Sequence, residues 1–419
     1  MLEFDQKPIL KHAKLVIFGV GGAGCNAINN MIDYGLEDVE YIAANTDIAH
    51  LNMTKAKIKI QLGKKLTQGR GAGSEPEKGK EAAEENYEDI KHLMDGADLV
   101  LIAAGMGGGT GTGAAPVIAQ IAQEKGIISV AVVTTPFEDE GRIRRDNAKK
   151  GLLELKKYID SYLIVPNQKI YEAYPDIPAF EAYREADLVL YNSAKAIADV
   201  INKSYVMNAE LSDLITILKG NGRALIGIGV GEGDSKAADA LRNAIENPLL
   251  NDVSLDSCSG IVYQILAGQD IPTSDLRYIS EEIHKLAGDD AHIIRGTHFD
   301  ESSKGKITLT VIASGLIDPD EYLRNASNNQ RNTTPMQDPQ YNPNLNFDTD
   351  NGLGNGIFQN DTGNTQSYHP DSPFDLEADS ELKKLMQGID VSNSSQGTEK
   401  KQMSPLETKP VDFSKAYDD

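Results

Sequence analysis

The chain has 419 residues, of which 41 are Lys or Arg and 63 are Asp or Glu, so its formal net charge is −22 at pH 7. Phosphate backbones would repel such an acidic chain, which excludes electrostatic nucleic-acid binding as a first hypothesis. Hydrophobic residues make up 40% and charged residues 25% of the chain. This composition is typical of a globular protein, and the length allows roughly two domains with extensions.

Cysteine content and apolar runs indicate the compartment. The sequence holds two cysteines, Cys25 and Cys258, too few for a disulfide framework or a four-cysteine zinc site, which favours a reducing compartment. Residues 1–14 contain no apolar stretch typical of a signal peptide, and the most apolar run, residues 99–104, is far too short to cross a membrane. We therefore expect a cytoplasmic protein without direct membrane insertion.

The first half of the chain has an α/β pattern. Short apolar runs alternate with amphipathic helical patterns from Leu15 onward, which is typical of a parallel sheet with helices on both faces. A long helix is predicted over residues 180–203, because apolar residues recur there at helical spacing with no Pro or Gly inside. The predicted strands lie at residues 15–20, 40–45, 99–104, 128–134 and 162–165.

A second, α+β pattern follows the break at Lys219-Gly220-Asn221-Gly222. Its predicted strands lie at residues 224–230, 260–266, 291–297 and 307–313, and its predicted helices at residues 235–247 and 280–286. From residue 318 onward Asn, Gln, Asp, Ser and Pro dominate, which predicts a disordered tail of roughly 100 residues. Within the tail, residues 380–389 have the apolar spacing of a short helix that could bind a partner.

The first of two glycine-rich turns, Gly19-Val20-Gly21-Gly22-Ala23-Gly24, follows a predicted strand and opens a helix. Glycines let backbone amides approach a phosphate, and a helix N-terminus adds positive potential. Glu40 and Asp47 lie near the distance at which an acid contacts the ribose in dinucleotide-binding folds. This turn alone therefore leaves a dinucleotide-binding fold open.

The second glycine-rich turn, residues 105–113, lies between the strand at 99–104 and a helix predicted over residues 114–125. A dinucleotide-dependent enzyme would not need it. Two such turns in one sheet can enclose a chain of phosphates, so the sequence predicts a nucleoside triphosphate ligand. No GxxxxGK[ST] segment occurs, so lysine is not expected to bind the phosphates.

Five segments carry a family resemblance: GVGGAGCNAINNM at residues 19–31, NTD at 45–47, GGGTGTG at 107–113, PFEDEGRIR at 136–144, and the acidic segment 208–213. Together they resemble the FtsZ family of bacterial cell-division GTPases, which belongs to the tubulin superfamily. The resemblance covers about residues 14–316. It implies a Rossmann-like, parallel-sheet GTPase domain at 14–179 after an N-terminal extension at 1–13. A central helix and catalytic segment at 180–221, an α+β domain at 222–317 and a tail at 318–419 would follow.

The resemblance also implies a pocket for GTP or GDP, with Mg²⁺ held through phosphates and water and without direct protein ligands. The residues that it places at the nucleotide are Gly21, Gly22, Ala23, Gly24, Cys25, Asn26, Gly107, Gly108, Gly109, Thr110, Gly111, Thr112, Gly113, Glu140, Arg144, Tyr183 and Asp187. Glu140 and Arg144 would contact ribose and phosphate, and Tyr183 would stack on the base. The Asp187 carboxylate can accept from N1–H and the amine of guanine, whereas adenine offers an acceptor at N1.

For hydrolysis, the resemblance assigns Asn208, Glu210 and Asp213, which in this family act on the nucleotide of the next subunit. Hydrolysis then requires head-to-tail assembly into protofilaments, and the family forms a ring at the division site at midcell. The family usually has Asp where Glu210 stands. Because the extra methylene moves the carboxylate by roughly 1 Å, we expect slower turnover. The alternative is a GTP-binding filament scaffold with little hydrolysis.

Two further features depart from the family pattern. Ser74 and Glu75 precede Pro76 where the family has Gly-Asn or Ala-Asn, so Glu75 either points away from the terminal phosphate or the site relies on Mg²⁺. The tail is expected to bind division proteins and membrane tethers. It departs from the family because no clear copy of the terminal peptide, a Pro and Phe core followed by basic residues, is present, and the nearest candidates are residues 409–413 and 373–376.

Overall fold

The computed structural model describes residues 13–176, 178–202, 211–246, 255 and 258–316. The predicted catalytic residues Asn208 and Glu210, the N-terminal extension up to residue 12 and the predicted tail lie outside the described residues. All statements below concern the described part of the chain. Within it, no helix combines the length and apolar character that crossing a membrane requires.

A parallel sheet forms the first half of the fold. Its strands β1 to β6 are Leu15–Val20, Val39–Asn45, Ile58–Gln61, Leu99–Gly105, Ile128–Thr135 and Ser161–Pro166. They lie in the order β3-β2-β1-β4-β5-β6. The central strands β1 and β4 are buried almost throughout, which explains their continuous apolar sequences. Sequence patterns predict these strands to within one residue at each end except β3, a four-residue edge strand too short to give a clear signal.

Helices cover the faces of this sheet. They are α1 to α8, at Gly21–Asp33, Ile48–Met53, Lys64–Thr67, Pro76–Glu85, Tyr87–Leu93, Thr110–Glu124, Arg142–Leu155 and Gln168–Ala173. The prediction that α6 begins at residue 114 was wrong, because the helix begins four residues earlier, within the glycine-rich segment. The Gly113 amide already donates to the Gly109 carbonyl at 3.0 Å, which is a helical hydrogen bond.

Within the described residues, the second half of the fold contains four strands, two of which pair antiparallel with the last of them. Strands β7 to β10 are Gly222–Glu232, Gly260–Ala267, His292–Phe299 and Lys306–Leu316, and helices α9 to α12 are Ala179–Asn202, Leu211–Leu218, Lys236–Ile245 and Thr273–Ala287. Strand β10 pairs antiparallel with both β7 and β8, and β8 pairs in parallel with β9. Helix α12 begins seven residues before its predicted start, because Ser274, Asp275 and Arg277 dilute the apolar spacing of its first turns.

Strand β7 joins the two halves into one sheet. It pairs with β6 at two register positions, Ser161 with Gly222 and Tyr162 with Arg223, and with β10 along its length. The described strands therefore form a ten-stranded sheet in the order β3-β2-β1-β4-β5-β6-β7-β10-β8-β9. Helix α9 contacts β5, β7 and β10, so the predicted central helix packs on strands of both halves.

Two buried serines hold the C-terminal end of α10. The Ser161 hydroxyl donates to the Leu218 carbonyl at 2.6 Å, and the Ser314 hydroxyl donates to the Ile217 carbonyl. The last carbonyls of a helix lack partners within the helix, so these hydroxyls satisfy groups that would otherwise be buried and unpaired. The Ile217 carbonyl also accepts a hydrogen bond from the side-chain amide of Asn221. From that residue the Leu218 carbonyl accepts only a long one, at 3.4 Å, through the Asn221 backbone amide.

We expect Ser161→Ala to lower the free energy of unfolding by about 1 kcal/mol, because the Leu218 carbonyl loses its short hydrogen bond. Ser314→Ala is the matched control and should cost less, because the Asn221 amide still donates to the Ile217 carbonyl. Urea unfolding followed by circular dichroism measures both changes. Equal losses for the two variants would contradict this account.

Candidate functional site

The two glycine-rich turns meet at one edge of the sheet. Strands β1 and β4 pair in parallel with Val20 opposite Ala104, so the turns after them leave the sheet side by side. A Cβ atom at Gly21 would lie 2.8 Å from the Gly111 amide nitrogen, which shows that the turns are in contact. The structure thus brings together the two segments that the sequence predicts to hold phosphates.

Several of these glycines are required by close packing. A Cβ atom at Gly113 would lie 2.0 Å from the Pro76 carbonyl oxygen, where α4 crosses α6. At Gly111 it would lie 2.5 Å from the Gly105 carbonyl oxygen. Real Cβ atoms do not approach oxygen this closely, so these two residues let backbone segments pack together. Packing alone is enough to explain them.

Gly108 differs, because a Cβ atom there would meet no protein atom within 4 Å. Its neighbour Gly107 has φ +106°, in the left-handed region that favours glycine. The backbone is therefore open to a ligand at Gly108, whereas Gly107 packs against the Arg144 carbonyl, 2.9 Å from its Cβ position. Gly22 in the first turn is also uncrowded, with the imidazole of His50 3.4 Å from its Cβ position.

The threonine and cysteine side chains of the predicted pocket bond to the protein itself. The Gly107 amide donates to the Thr112 hydroxyl at 2.8 Å, and the Thr110 hydroxyl lies 2.6 Å from that of Thr46. The Cys25 thiol is buried, and burial raises its pKa to about 12, so it stays protonated. These side chains shape the turns, and a ligand would contact these residues through their backbone.

Beside the turns, α1 and α9 form the walls of an open cleft of about 620 Å³. Its lining residues are Asn26, Asn29, Asn30, Asp33, Tyr34, Tyr183, Arg184 and Asp187. Three of the predicted nucleotide-binding residues, Asn26, Tyr183 and Asp187, are among them. The structure therefore brings together three residues that are up to 161 positions apart in the chain (187 − 26).

The Asp187 carboxyl in this cleft has a pKa that its surroundings shift. Burial raises the pKa of its carboxyl to about 6, although the hydrogen bond from the Asn30 side chain opposes that rise. The Asn30 Nδ2 atom lies 2.7 Å from Asp187 Oδ2. At pH 7.5 the group is therefore mainly ionised and acts as an acceptor, and it becomes protonated as the pH falls below about 6.

Tyr183 presents an aromatic surface to the same cleft. Its side chain is 53% exposed, and its ring meets Phe137 edge-on with a centroid distance of 5.4 Å. Phe137 in turn stacks on Tyr171 at 4.2 Å. This aromatic cluster supports the Tyr183 ring from behind while leaving surface on which a flat base can stack.

Glu140 and Arg144, four positions apart in the chain, form an ion pair with each other. Glu140 also accepts from the Phe137 backbone amide at 2.9 Å, so its carboxylate orders the start of the turn before α7. The Arg144 side chain is 49% exposed. A ligand would have to share these charged groups with their own ion pair, and their predicted roles at ribose and phosphate stay predictions.

Sequence reasoning missed three polar residues at this edge. Asn147 donates to the carbonyls of Ser74 at 3.2 Å and Gly107 at 3.4 Å, and so links α7 to both loops. His50 Nε2 lies 3.1 Å from Asn26 Oδ1, and Asn30 bonds to Asp187 as described. Asn30 follows Asn26 by one helical turn, which is the local signal that could have indicated it.

The hydrolytic residues are only partly described. Asp213 lies in the first turn of α10 and is partly buried. Glu75 precedes α4 without a side-chain cap, and its backbone nitrogen lies 2.9 Å from the Cβ position of Gly109. Among the described side chains, no group of three or more His, Cys, Asp or Glu is placed to hold a metal ion.

Comparison with known proteins defines the class. Residues 14–175 match the family model of the Tubulin/FtsZ family GTPase domain, and residues 222–317 match that of the FtsZ family C-terminal domain. CetZ1 from Haloferax volcanii, at 21% identity and a TM-score of 0.63 over 76% of this chain and 99% of that one, shares the fold. The fold and the paired glycine turns thus define a protein of the tubulin/FtsZ fold class.

Two closer relatives narrow this class to one family. The cell division protein FtsZ of Caulobacter vibrioides is 42% identical over 322 residues, which cover 75% of this chain and 63% of that protein. The match thus spans less than two thirds of this curated relative. An FtsZ dimer structure from M. jannaschii is 38% identical, with a TM-score of 0.67, over 72% of this chain and 88% of that one. The chain belongs to the FtsZ family, which confirms the resemblance and the α/β fold class.

We expect Gly108→Ala to leave thermal stability unchanged while weakening GTP binding at least about tenfold, because the methyl group occupies space open to phosphate. Gly113→Ala is the structural contrast and should destabilise the fold by about 1–3 kcal/mol through overpacking against the Pro76 carbonyl. Thermal unfolding and fluorescent-nucleotide titration measure the two effects. Wild-type GTP affinity in Gly108→Ala would exclude a close approach of phosphate to this turn.

We also expect opposite pH dependences of binding and stability from Asp187. GTP affinity should fall as the pH drops through about 6, because a protonated carboxyl loses acceptor capacity. The ligand-free protein should lose stability as the pH rises from about 4 to 6, because a buried group with a raised pKa favours the protonated folded state. Titration of the wild type with GTP tests the first change, and pH-dependent unfolding of ligand-free wild type and Asp187→Asn tests the second, which the variant should lack.

Proposed function

We propose that this chain is a GTPase that binds GTP at the paired glycine turns, polymerises head to tail into protofilaments and hydrolyses GTP to GDP and phosphate. The observation that carries the proposal is the contact between the two glycine turns, the first of which opens α1, the helix that lines the cleft holding Tyr183 and Asp187. Membership of the FtsZ family supports it further.

Each part of the nucleotide has a matching feature at this edge of the sheet. Backbone amides of the two turns and the N-termini of α1 and α6 would bind the phosphates. The exposed ring of Tyr183 would stack on the base. The Asp187 carboxylate would accept from guanine N1–H and the amine, and adenine would leave it without those donors. Glu140 and Arg144 would serve the ribose and a phosphate.

Hydrolysis would be completed by a neighbouring subunit through Asn208, Glu210 and Asp213. Carboxylates can orient the attacking water, and the remaining contribution is positioning and electrostatic stabilisation. Mg²⁺ on the phosphates would supply neutralisation of their charge. The M. jannaschii relative is described as a dimer and CetZ2 from Haloferax volcanii as a protofilament, which supports self-association of this chain.

The cellular role that we propose is ring formation at the midcell division site in the cytoplasm. The segment 318–419 would act as a spacer that binds division proteins and membrane tethers. The domain boundaries at residues 14–179, 180–221 and 222–317 form part of this proposal. An alternative is a GTP-binding filament scaffold with little hydrolysis, which Glu210 favours because its longer side chain moves the carboxylate.

We expect GTP hydrolysis to rise steeply with protein concentration after a lag, in Mg²⁺ and potassium, and to track the amount of sedimented polymer. The physical reason is that each site would need acidic residues from the next subunit. Measuring phosphate release and sedimentation at each concentration tests this. Polymer with little hydrolysis would support the scaffold alternative, and hydrolysis proportional to concentration without polymer would contradict both.

Glu210→Asp should increase turnover by up to about 10²-fold in assembled protein, because it returns the carboxylate by roughly 1 Å. Phosphate release per sedimented subunit is the measurement. Glu232→Asp, on β7, is a control for the same chemical change elsewhere. Turnover that stays the same or falls in Glu210→Asp would exclude Glu210 as the cause of slow hydrolysis.

A further inference from the structure

The cleft between α1 and α9 is built from two pairs of residues. Asn26 and Asn30 lie one turn apart on α1, and Tyr183 and Asp187 lie one turn apart on α9. Residues four positions apart share a helix face, so each pair presents two side chains to the cleft. The proposed function uses Asn26, Tyr183 and Asp187, and it gives no role to Asn30.

Asn30 makes a direct contact with the base-reading carboxylate. Its Nδ2 atom lies 2.7 Å from Asp187 Oδ2, and the pair is partly buried. A carboxylate that is partly removed from water needs donors, and an amide N–H is a donor that carries no charge of its own. This bond also fixes the rotation of the carboxylate about its side-chain axis, because one oxygen is directed to α1.

From this geometry we infer that Asn30 is a positioning residue that sets purine specificity by holding the Asp187 carboxylate in the orientation that guanine requires. The inference rests on the proposed function of Asp187. With Oδ2 held by α1, Oδ1 and the second lone pair of Oδ2 remain as acceptors for two donors of the base. Without Asn30, the carboxylate turns freely and its two acceptors are no longer pre-oriented.

The electrostatic surroundings leave this task to Asn30. The other charged side chains that line the cleft bond elsewhere: Asp33 pairs with Lys55, and Arg184 donates to the Tyr34 hydroxyl at 3.4 Å. The Asn30 bond favours the ionised carboxylate, against the effect of burial. The loss of Asn30 should therefore raise the pKa of Asp187.

The test compares Asn30→Ala with Asn29→Ala. Asn29 lines the same cleft on the same helix, but its Oδ1 atom accepts from the Lys55 backbone amide at 2.7 Å, and the hydrogen bond to Asp187 comes from Asn30 instead. We expect Asn30→Ala to weaken GTP binding about tenfold at pH 7.5, leave ATP binding unchanged and lower the GTP-to-ATP preference accordingly. Asn29→Ala should keep that preference. Equal weakening of GTP and ATP by Asn30→Ala would indicate a merely structural role and overturn the inference.

Asn30→Asp adds a second variant of nearly the same shape that replaces the donor by an acceptor. It should lower the GTP-to-ATP preference further than Asn30→Ala, because two carboxylates then face each other. The pH midpoint of GTP binding should also move upward in both Asn30 variants. Unchanged preference and midpoint in both would overturn the inference, and this readout does not depend on the stability of either protein.

Asp187→Asn separates this inference from the function on which it rests. An amide at that position can donate to the C2 carbonyl oxygen of xanthine, so this variant should lose GTP binding and gain XTP binding. If base preference does not respond to Asp187→Asn, the proposed base site fails and the role of Asn30 fails with it. If it responds to Asp187→Asn but not to the Asn30 variants, the base site stands and the role of Asn30 is excluded.

Discussion

The parallel pairing of β1 with β4 is the constraint on which the site depends. Both strands are buried on both faces, so their register is fixed by the packing of every side chain along them. Because parallel strands end at the same edge, pairing Val20 with Ala104 places two glycine-rich turns in contact. The pairing brings together two segments that are more than 80 residues apart, and the proposed phosphate site depends on that contact.

Close packing and ligand access compete within the same glycine-rich segment. Gly113 and Gly111 allow α4 and the β4 turn to approach α6, and without that approach the helix would not lie over the sheet edge. Gly108, a few residues earlier, faces open space. One stretch of glycine thus serves backbone packing at its helical end and access to the backbone at its loop end. The Thr112 hydroxyl links the two ends, because it accepts from the Gly107 amide, and the Thr110 hydroxyl bonds to that of Thr46.

In the cleft beside the turns, a side chain on α1 orients a carboxylate on α9. Burial favours the protonated form of Asp187, and the Asn30 amide opposes that effect without adding a charge that would compete for the proposed base. The aromatic cluster of Tyr183, Phe137 and Tyr171 restrains the half-exposed Tyr183 ring, on which the proposed base would stack. Both contacts restrain side chains in the free protein, which would lower the entropic cost of the proposed ligand binding.

Local sequence signals determined the strands β1, β2, β4, β5 and β6, the long helix α9 and the positions of both glycine turns, because apolar runs and helical spacing are properties of neighbouring residues. They also carried the family resemblance. Only the tertiary structure showed that Gly113 serves packing while Gly108 is open, and that Asn30 bonds to Asp187 across 157 positions. No periodicity records such contacts, since they arise when the sheet brings distant segments together. The early start of α6 has the same cause, because packing against α4 stabilises a helical turn that glycine alone disfavours.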